Sequence, residues 1–182
     1  MTQERMERQA LHYLQRYPAS EAHFRRVMKR KIHRAHQAVP GDYDAYQTWL
    51  DATVSLCIRI GLLNDQALAQ SLVRSYHRRG LSRRAIQQKL REKGFKGDVI
   101  ETEIEGLTVQ LNGSNVDLVA AVRYLKKRRF GCFSKRTLDH DARRKHLAAL
   151  GRRGFSYGLS REALEMDRDA ADTLLYQNES AL

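Results

Sequence analysis

The chain has 182 residues, 42% of them hydrophobic, enough for one ordinary domain or a few small modules with a buried core. Its formal charge of +12 and pI near 10 predict attraction to polyanions. Cys57 and Cys132 have no Cys-x-x-Cys spacing, which argues against a disulfide framework and a zinc site, and no apolar run reaches the roughly 18 residues of a membrane span. The opening residues carry acids and no signal-like apolar core, so a soluble, cytoplasmic protein with no membrane contact is expected.

Only Pro18 and Pro40 interrupt a sequence rich in Arg, Lys, Gln, Glu, Leu and Ala, which predicts an all-α fold. The first helix is expected from about Gln3 to Arg16, with Leu11, Tyr13 and Leu14 on its apolar side, and Pro18 stops it. Ser20 is placed to cap a second helix, Glu21 to about Ala38. There Phe24, Val27, Met28 and Ile32 keep a spacing of three and four against a basic opposite face. After Pro40-Gly41, the segment Tyr43–Ile60 puts Tyr46, Trp49, Leu50, Val54 and Cys57 on a broad apolar stripe closed by Gly61.

Asn64 or Asp65 caps the next helix, which turns Leu68, Ala69, Leu72, Val73 and Tyr76 inward and ends at Arg78-Arg79-Gly80. The stretch Ser75–Phe95 reads as helix–turn–helix: Gly80 ends one helix, Ser82 caps another and Gly94 ends that one. Ile86 and Leu90 share its packed face, while Arg83, Arg84, Gln87, Gln88 and Arg91 cover the other. Gly97-Asp98 starts a third helix through Ile100, Ile104 and Leu107, with Glu101, Glu103 and Glu105 expected on its wet side. The Asn112-Gly113-Ser114-Asn115 loop is the expected module boundary. Beyond it come helices from Asp117 to about Arg129, one ending at Gly154, and a last one from Ser156 towards Leu175.

Ser20, Phe24, Met28 and Lys31 align with Ser82, Ile86, Leu90 and Lys93 at one constant offset, and Leu90–Phe95 matches Leu150–Phe155. The expected plan is tandem three-helix modules, a helical repeat with modules over 1–62, 63–113 and 114–182, forming an elongated body that can curve. The third module carries an insertion between Gly131 and Leu150, containing Cys132, Phe133, Ser134 and Lys135.

The cations are clustered: Arg25–Arg34, Arg74–Lys93 and Arg123–Arg153 hold six, eight and twelve of the 33 Lys and Arg, with only Glu92, Asp139 and Asp141 among them. The candidates for DNA phosphates or acidic patches on a partner protein sit near helix ends. They are Arg78, Arg79, Arg83, Arg84, Lys127, Arg128, Arg129, Arg143, Arg144, Lys145, Arg152 and Arg153. Tyr76, Tyr124, Phe130, Phe133, Phe155 and Tyr157 could stack on bases but are expected to pack instead, with Phe133 the exception to watch. His33 with His36, and Asp139-His140-Asp141, lack a third and fourth metal ligand. No Walker loop, Gly-x-Ser-x-Gly elbow or His-Glu-x-x-His pair occurs, so neither enzyme chemistry nor a cofactor is expected.

Over most of its length the chain resembles the RecX proteins, bacterial regulators of the recombinase RecA. The resemblance rests on Gly61-Leu-Leu-Asn-Asp65 with Ala69, the Arg-Arg-Gly80 to Lys-Gly-Phe95 passage, Lys127-Arg-Arg-Phe-Gly131 and Arg152-Arg-Gly-Phe-Ser156. It implies tandem three-helix modules and a protein that binds the RecA–DNA filament; single-stranded DNA, with double-stranded DNA a second candidate, and a monomeric state are expected alongside. It also implies restraint of RecA's ATPase, strand exchange and co-protease activity. The competing reading is a general nucleic-acid-binding helix–turn–helix protein, a transcription or RNA-associated factor using Arg83–Lys93 as a recognition helix.

Overall fold

The structure is a computed structural model describing residues 2–39, 41–111, 113–135 and 138–178. Pro40 and Asn112, invoked above as a breaker and a loop residue, lie outside the described residues. Among those described, all regular structure is helical. In order it comprises α1 (Gln3–Arg16), α2 (Glu21–Ala38), α3 (Tyr43–Arg59), α4 (Asp65–Arg78), α5 (Arg83–Glu92), α6 (Gly97–Gln110) and α7 (Val116–Arg128). A short 3-10 turn (Gly131–Phe133), α8 (His140–Gly151), α9 (Tyr157–Glu165) and α10 (Arg168–Gln177) follow.

The described residues up to Ala69, together with Arg91–Val99, form one compact unit. Gln70–Leu90 and the described residues from Ile100 onward form the other.

In the first unit, apolar residues recur every three or four positions and build the core. Met6, Ala10 and Leu14 of α1 meet Phe24, Met28 and Ile32 of α2 and Leu50, Val54 and Cys57 of α3. Enclosing each of the larger side chains contributes about 1.5–3 kcal/mol. Thr2 caps α1 by accepting from the Arg5 N–H, and Ser20 caps α2 by accepting from the His23 N–H. Arg25 joins Glu21 on its own helix to Asp51 on α3.

In the second unit α7 is the central element. Eight of its thirteen residues are buried, and it packs against α9, α10 and the 3-10 turn. Ala120, Ala121, Leu125, Leu150, Phe155, Ala163 and Leu164 belong to one apolar cluster. His77, fully buried on α4, bonds through Nε2 to the Val116 carbonyl at 2.8 Å, while its Nδ1 lies 3.4 Å from Arg123. Arg123 also donates to the Asn178 carbonyl at 2.8 Å, which fixes the end of α10 to the core.

Three expectations are corrected. The last helix is two helices, because Met166 is extended and Asp167 caps α10 by accepting from the Ala170 N–H. Glu103 is buried rather than wet, since in a helix it shares its face with Ile100, Ile104 and Leu107. Phe133 is also buried, covered by Arg168 at 4.7 Å and Lys126 at 5.8 Å.

Candidate nucleic-acid and partner interface

All twelve cations singled out from the sequence lie in the second unit. The chain brings half of them to one place by local backbone chemistry. At the end of α4, Gly80 takes φ 72°, and the Gly80 and Leu81 N–H groups return to the carbonyls of His77 and Tyr76. This satisfies carbonyls that a helix end leaves open. Ser82 follows and caps α5 by accepting from the Ala85 N–H at 3.2 Å.

The turn after α8 repeats this plan and docks on it. Gly154 takes φ 88°, and the Phe155 N–H returns to the Leu150 carbonyl. The Arg153 carbonyl accepts from the Ser82 N–H at 3.1 Å. A Cβ on Gly154 would overlap Ser82 Oγ and stand 3.0 Å from Ala85 Cβ, so these two turns can touch only through a glycine.

Two further contacts complete the joint. Asp117, near the start of α7, accepts from the Arg83 N–H at 2.7 Å. The Arg153 guanidinium lies 4.6 Å over the Tyr124 ring and 3.5 Å from the Arg79 carbonyl. The backbones of Arg79 and Arg83 and the guanidinium of Arg153 are thereby fixed at one junction, and Arg78, Arg84 and Arg152 are their immediate chain neighbours. All six except Arg153 are exposed, and none is ion-paired among the described residues except through Arg83's attraction to Asp117.

The other six candidates divide. Lys127, Arg128 and Arg129 end α7 one turn beyond Tyr124, with Arg128 lying 5.5 Å over Phe130. Arg143 pairs with Glu165 of α9, and Arg144 pairs with Asp141 at 3.4 Å. Lys145 is exposed beside them. This group starts α8 while Arg152 follows its end, about 13 Å along the axis, so it stands apart from the joint. The acids on Arg143 and Arg144 already offset much of the charge a phosphate would seek.

The aromatic candidates mostly serve the core. Tyr124, Phe133 and Phe155 are buried, and Phe130 stacks on His146 at 3.9 Å. Tyr157, 70% exposed, is the one whose ring is open to a base. Lys126 and Arg168 both hold Asp172, and their hydrogen bonds keep its carboxyl below the usual carboxylate range.

Burial decides the protonation states near the joint. It pushes the His77 imidazole down to about 4, with Arg123 adding to the effect and the Val116 bond opposing it. His77 is therefore neutral at physiological pH, donating from Nε2 with Nδ1 left as an acceptor toward Arg123. Burial raises Asp117, against the opposing bond from the Arg83 N–H and the nearby Arg83 charge. Among the described residues no group of three His, Cys, Asp or Glu converges to hold a metal.

Sequence reasoning missed Asp117, His77 and the Tyr124 platform. A signal existed for the first: Asn64-Asp65 and Asn115-Val116-Asp117 each place an acid just after a capping asparagine.

The family described as RecX, second three-helix domain, matches residues 64–103. The regulatory protein RecX of Myxococcus xanthus is 35% identical over 161 residues, covering 88% of this chain and 84% of that protein. Its counterpart in Agrobacterium fabrum is 31% identical over 167 residues, 91% of this chain and 85% of that protein. That of Streptomyces coelicolor is 38% identical over 122 residues, 63% and 60% of the two chains. No solved structure matches the chain.

Proposed function

The chain belongs to the RecX family of regulatory proteins, and from that premise we propose that it is a non-enzymatic regulator of the recombinase RecA. In this reading it acts in the cytoplasm as a monomer. It binds the RecA filament on single-stranded DNA and inhibits its ATPase, strand-exchange and co-protease activities, with duplex DNA a weaker partner of the same surface. It does so as three three-helix modules, 1–62, 63–113 and 114–182; the family match over 64–103 falls inside the second.

The observation that carries the reading is the joint of α4, α5, α7 and α8. There, backbone hydrogen bonds and a close-packed glycine hold Arg79, Arg83 and Arg153 together, with Arg78, Arg84 and Arg152 beside them. Guanidinium forks gathered on such a backbone suit the phosphates of a filament's DNA and the carboxylates of its protein alike. The competing recognition-helix reading needs the start of α5 free to meet bases. That end is engaged with protein, through the Ser82 N–H to the Arg153 carbonyl and the Arg83 N–H to Asp117.

The test is the DNA-dependent ATPase of RecA on pre-formed filaments, titrated with this protein. Inhibition is expected below one protein per RecA. The double variant Arg79→Gln/Arg152→Gln, with helicity unchanged by circular dichroism, is expected to need about tenfold more protein for half inhibition, equivalent to about 1.4 kcal/mol. No inhibition at equimolar protein would overturn the proposal and favour a nucleic-acid-binding factor unrelated to RecA.

A further inference from the structure

The first unit carries a basic surface that the joint does not use. On α1, Arg5, Arg8, Gln9 and His12 recur at spacings of three and four and therefore share one face. Across from them stand Lys31 and Arg34 of α2, and between the two helices lie two adjoining clefts of 400 and 470 Å³. Arg5, Gln9 and Lys31 line both.

None of the lining residues is acidic. Arg5, Arg8, Lys31 and Arg34 make no ion pair among the described residues, whereas Arg25 of the same unit is held by Glu21 and Asp51. Glu7 of α1 lies towards α3, where its charge acts on the Cys57 thiol. Surfaces that serve only solubility intersperse their signs, so a groove of uncompensated cations calls for an anion.

His12 is the one aromatic ring in the lining, so the cations outnumber the stacking surface and the contact is chiefly with the backbone. From Arg5 to His12 this polar row extends about 10 Å along α1, long enough to meet more than one phosphate of a strand. We infer that the α1–α2 groove is a second nucleic-acid contact, which holds the phosphodiester backbone of a single DNA strand independently of the joint in the other unit. The inference rests on the proposed function only in taking DNA as the polyanion.

The experiment measures binding of the full chain to a fluorescein-labelled oligothymidine by anisotropy across a salt series. The variants are Arg5→Gln/Arg8→Gln/Arg34→Gln, its triple Lys counterpart, and Arg78→Gln/Arg84→Gln/Arg152→Gln at the joint, each checked by circular dichroism. The groove Gln variant is expected to bind at least tenfold more weakly, with the slope of log K against log salt reduced by about 2, as three lost phosphate contacts require. The Lys variant should restore the slope. An unchanged slope in the groove variant while the joint variant loses binding overturns the groove and leaves RecA regulation standing. Failure of the unaltered protein to bind the oligonucleotide also overturns it. So does a groove variant that loses only poly-glutamate binding, since the groove would then serve an acidic protein.

Discussion

The turn around Ser20 in the first unit and the turn around Ser82 in the second are built alike and decorated differently. Ser20 caps α2 and donates from Oγ to the Lys93 carbonyl, while Ser82 caps α5 and donates from its N–H to the Arg153 carbonyl. Asp65 accepts from the Glu21 N–H at 2.8 Å, just as Asp117 accepts from the Arg83 N–H at 2.7 Å. Gly94 at φ 85° and Gly154 at φ 88° make the close approach in each. Around the second joint stand Arg79, Arg83, Arg84, Arg152 and Arg153; at the corresponding positions of the first stand Tyr17, Glu21, Ala22, Glu92 and Lys93. The hydrogen bonds are thus the scaffold of the repeat, and most of the cations are an addition to one copy. Affinity of a joint for anions should follow chiefly the second copy.

The largest effect that can break this comparison is at the glycines. At both, alanine must adopt a left-handed φ. At Gly154 its Cβ would also overlap Ser82 Oγ, whose position is held by the bond to Ala85. At Gly94 the nearest atoms are Ala22 Cβ at 2.9 Å and the flexible end of Arg26 at 3.4 Å. Gly154→Ala is expected to cost about 3 kcal/mol and Gly94→Ala about 2, read from urea unfolding. Equal losses would show that the two turns are not packed as differently as their neighbours imply.

A second difference is His77, for which the first unit has no buried equivalent among the described residues. The unfolded imidazole takes a proton near pH 6.5, whereas the folded one resists until about 4. The unfolded state therefore binds more protons in this window. Stability is complete above pH 6.5 and declines as pH falls towards 4, by about 1.4 kcal/mol at pH 5.5 and on the order of 3 kcal/mol at the lower end. His146, also lowered by burial, acts in the same direction. Asp117, raised by burial, opposes it at the acid end. Urea unfolding of the His77→Gln variant between pH 7 and 5 is expected to show a flatter pH dependence than the unaltered protein; an identical slope would remove His77 as its source.

Local signals made most of this fold legible. Ser20, Ser82 and Ser156 each sit just before an apolar period and each caps a helix. The break between α9 and α10 was hidden because Met166-Asp167 contains neither glycine nor proline, and an aspartate can sit inside a helix as well as cap one. Glu101, Glu103 and Glu105 were grouped at a strand's period of two, whereas the helix turns the middle one inward. At the interface, the arginines flanking Gly80 and Gly154 were visible because the glycines mark where the chain turns. That Arg143 is already matched was invisible, because its partner Glu165 is brought to it only by the packing of α8 on α9. Asp117 escaped for the same reason: its partner is an amide 34 positions away.

The acids give the smallest and most discriminating comparison. Removing either carboxylate leaves a helix-initial N–H without its acceptor, a loss of about 1 kcal/mol in the manner of a deleted N-cap. The surroundings then separate the two. Asp117 faces the Arg83 cation, which favours its charged form, while Asp65 faces the Glu21 carboxylate, which disfavours it, with Lys96 in partial compensation. Asp117→Ala should therefore cost more than Asp65→Ala by a few tenths of a kcal/mol, the scale of a solvent-exposed charge pair. The excess should shrink in high salt, because both carboxylates are only half-buried and screening reaches them. A difference that persists unchanged at high salt would trace to packing. It would mean that the two joints differ in their scaffold as well as in the charges around it.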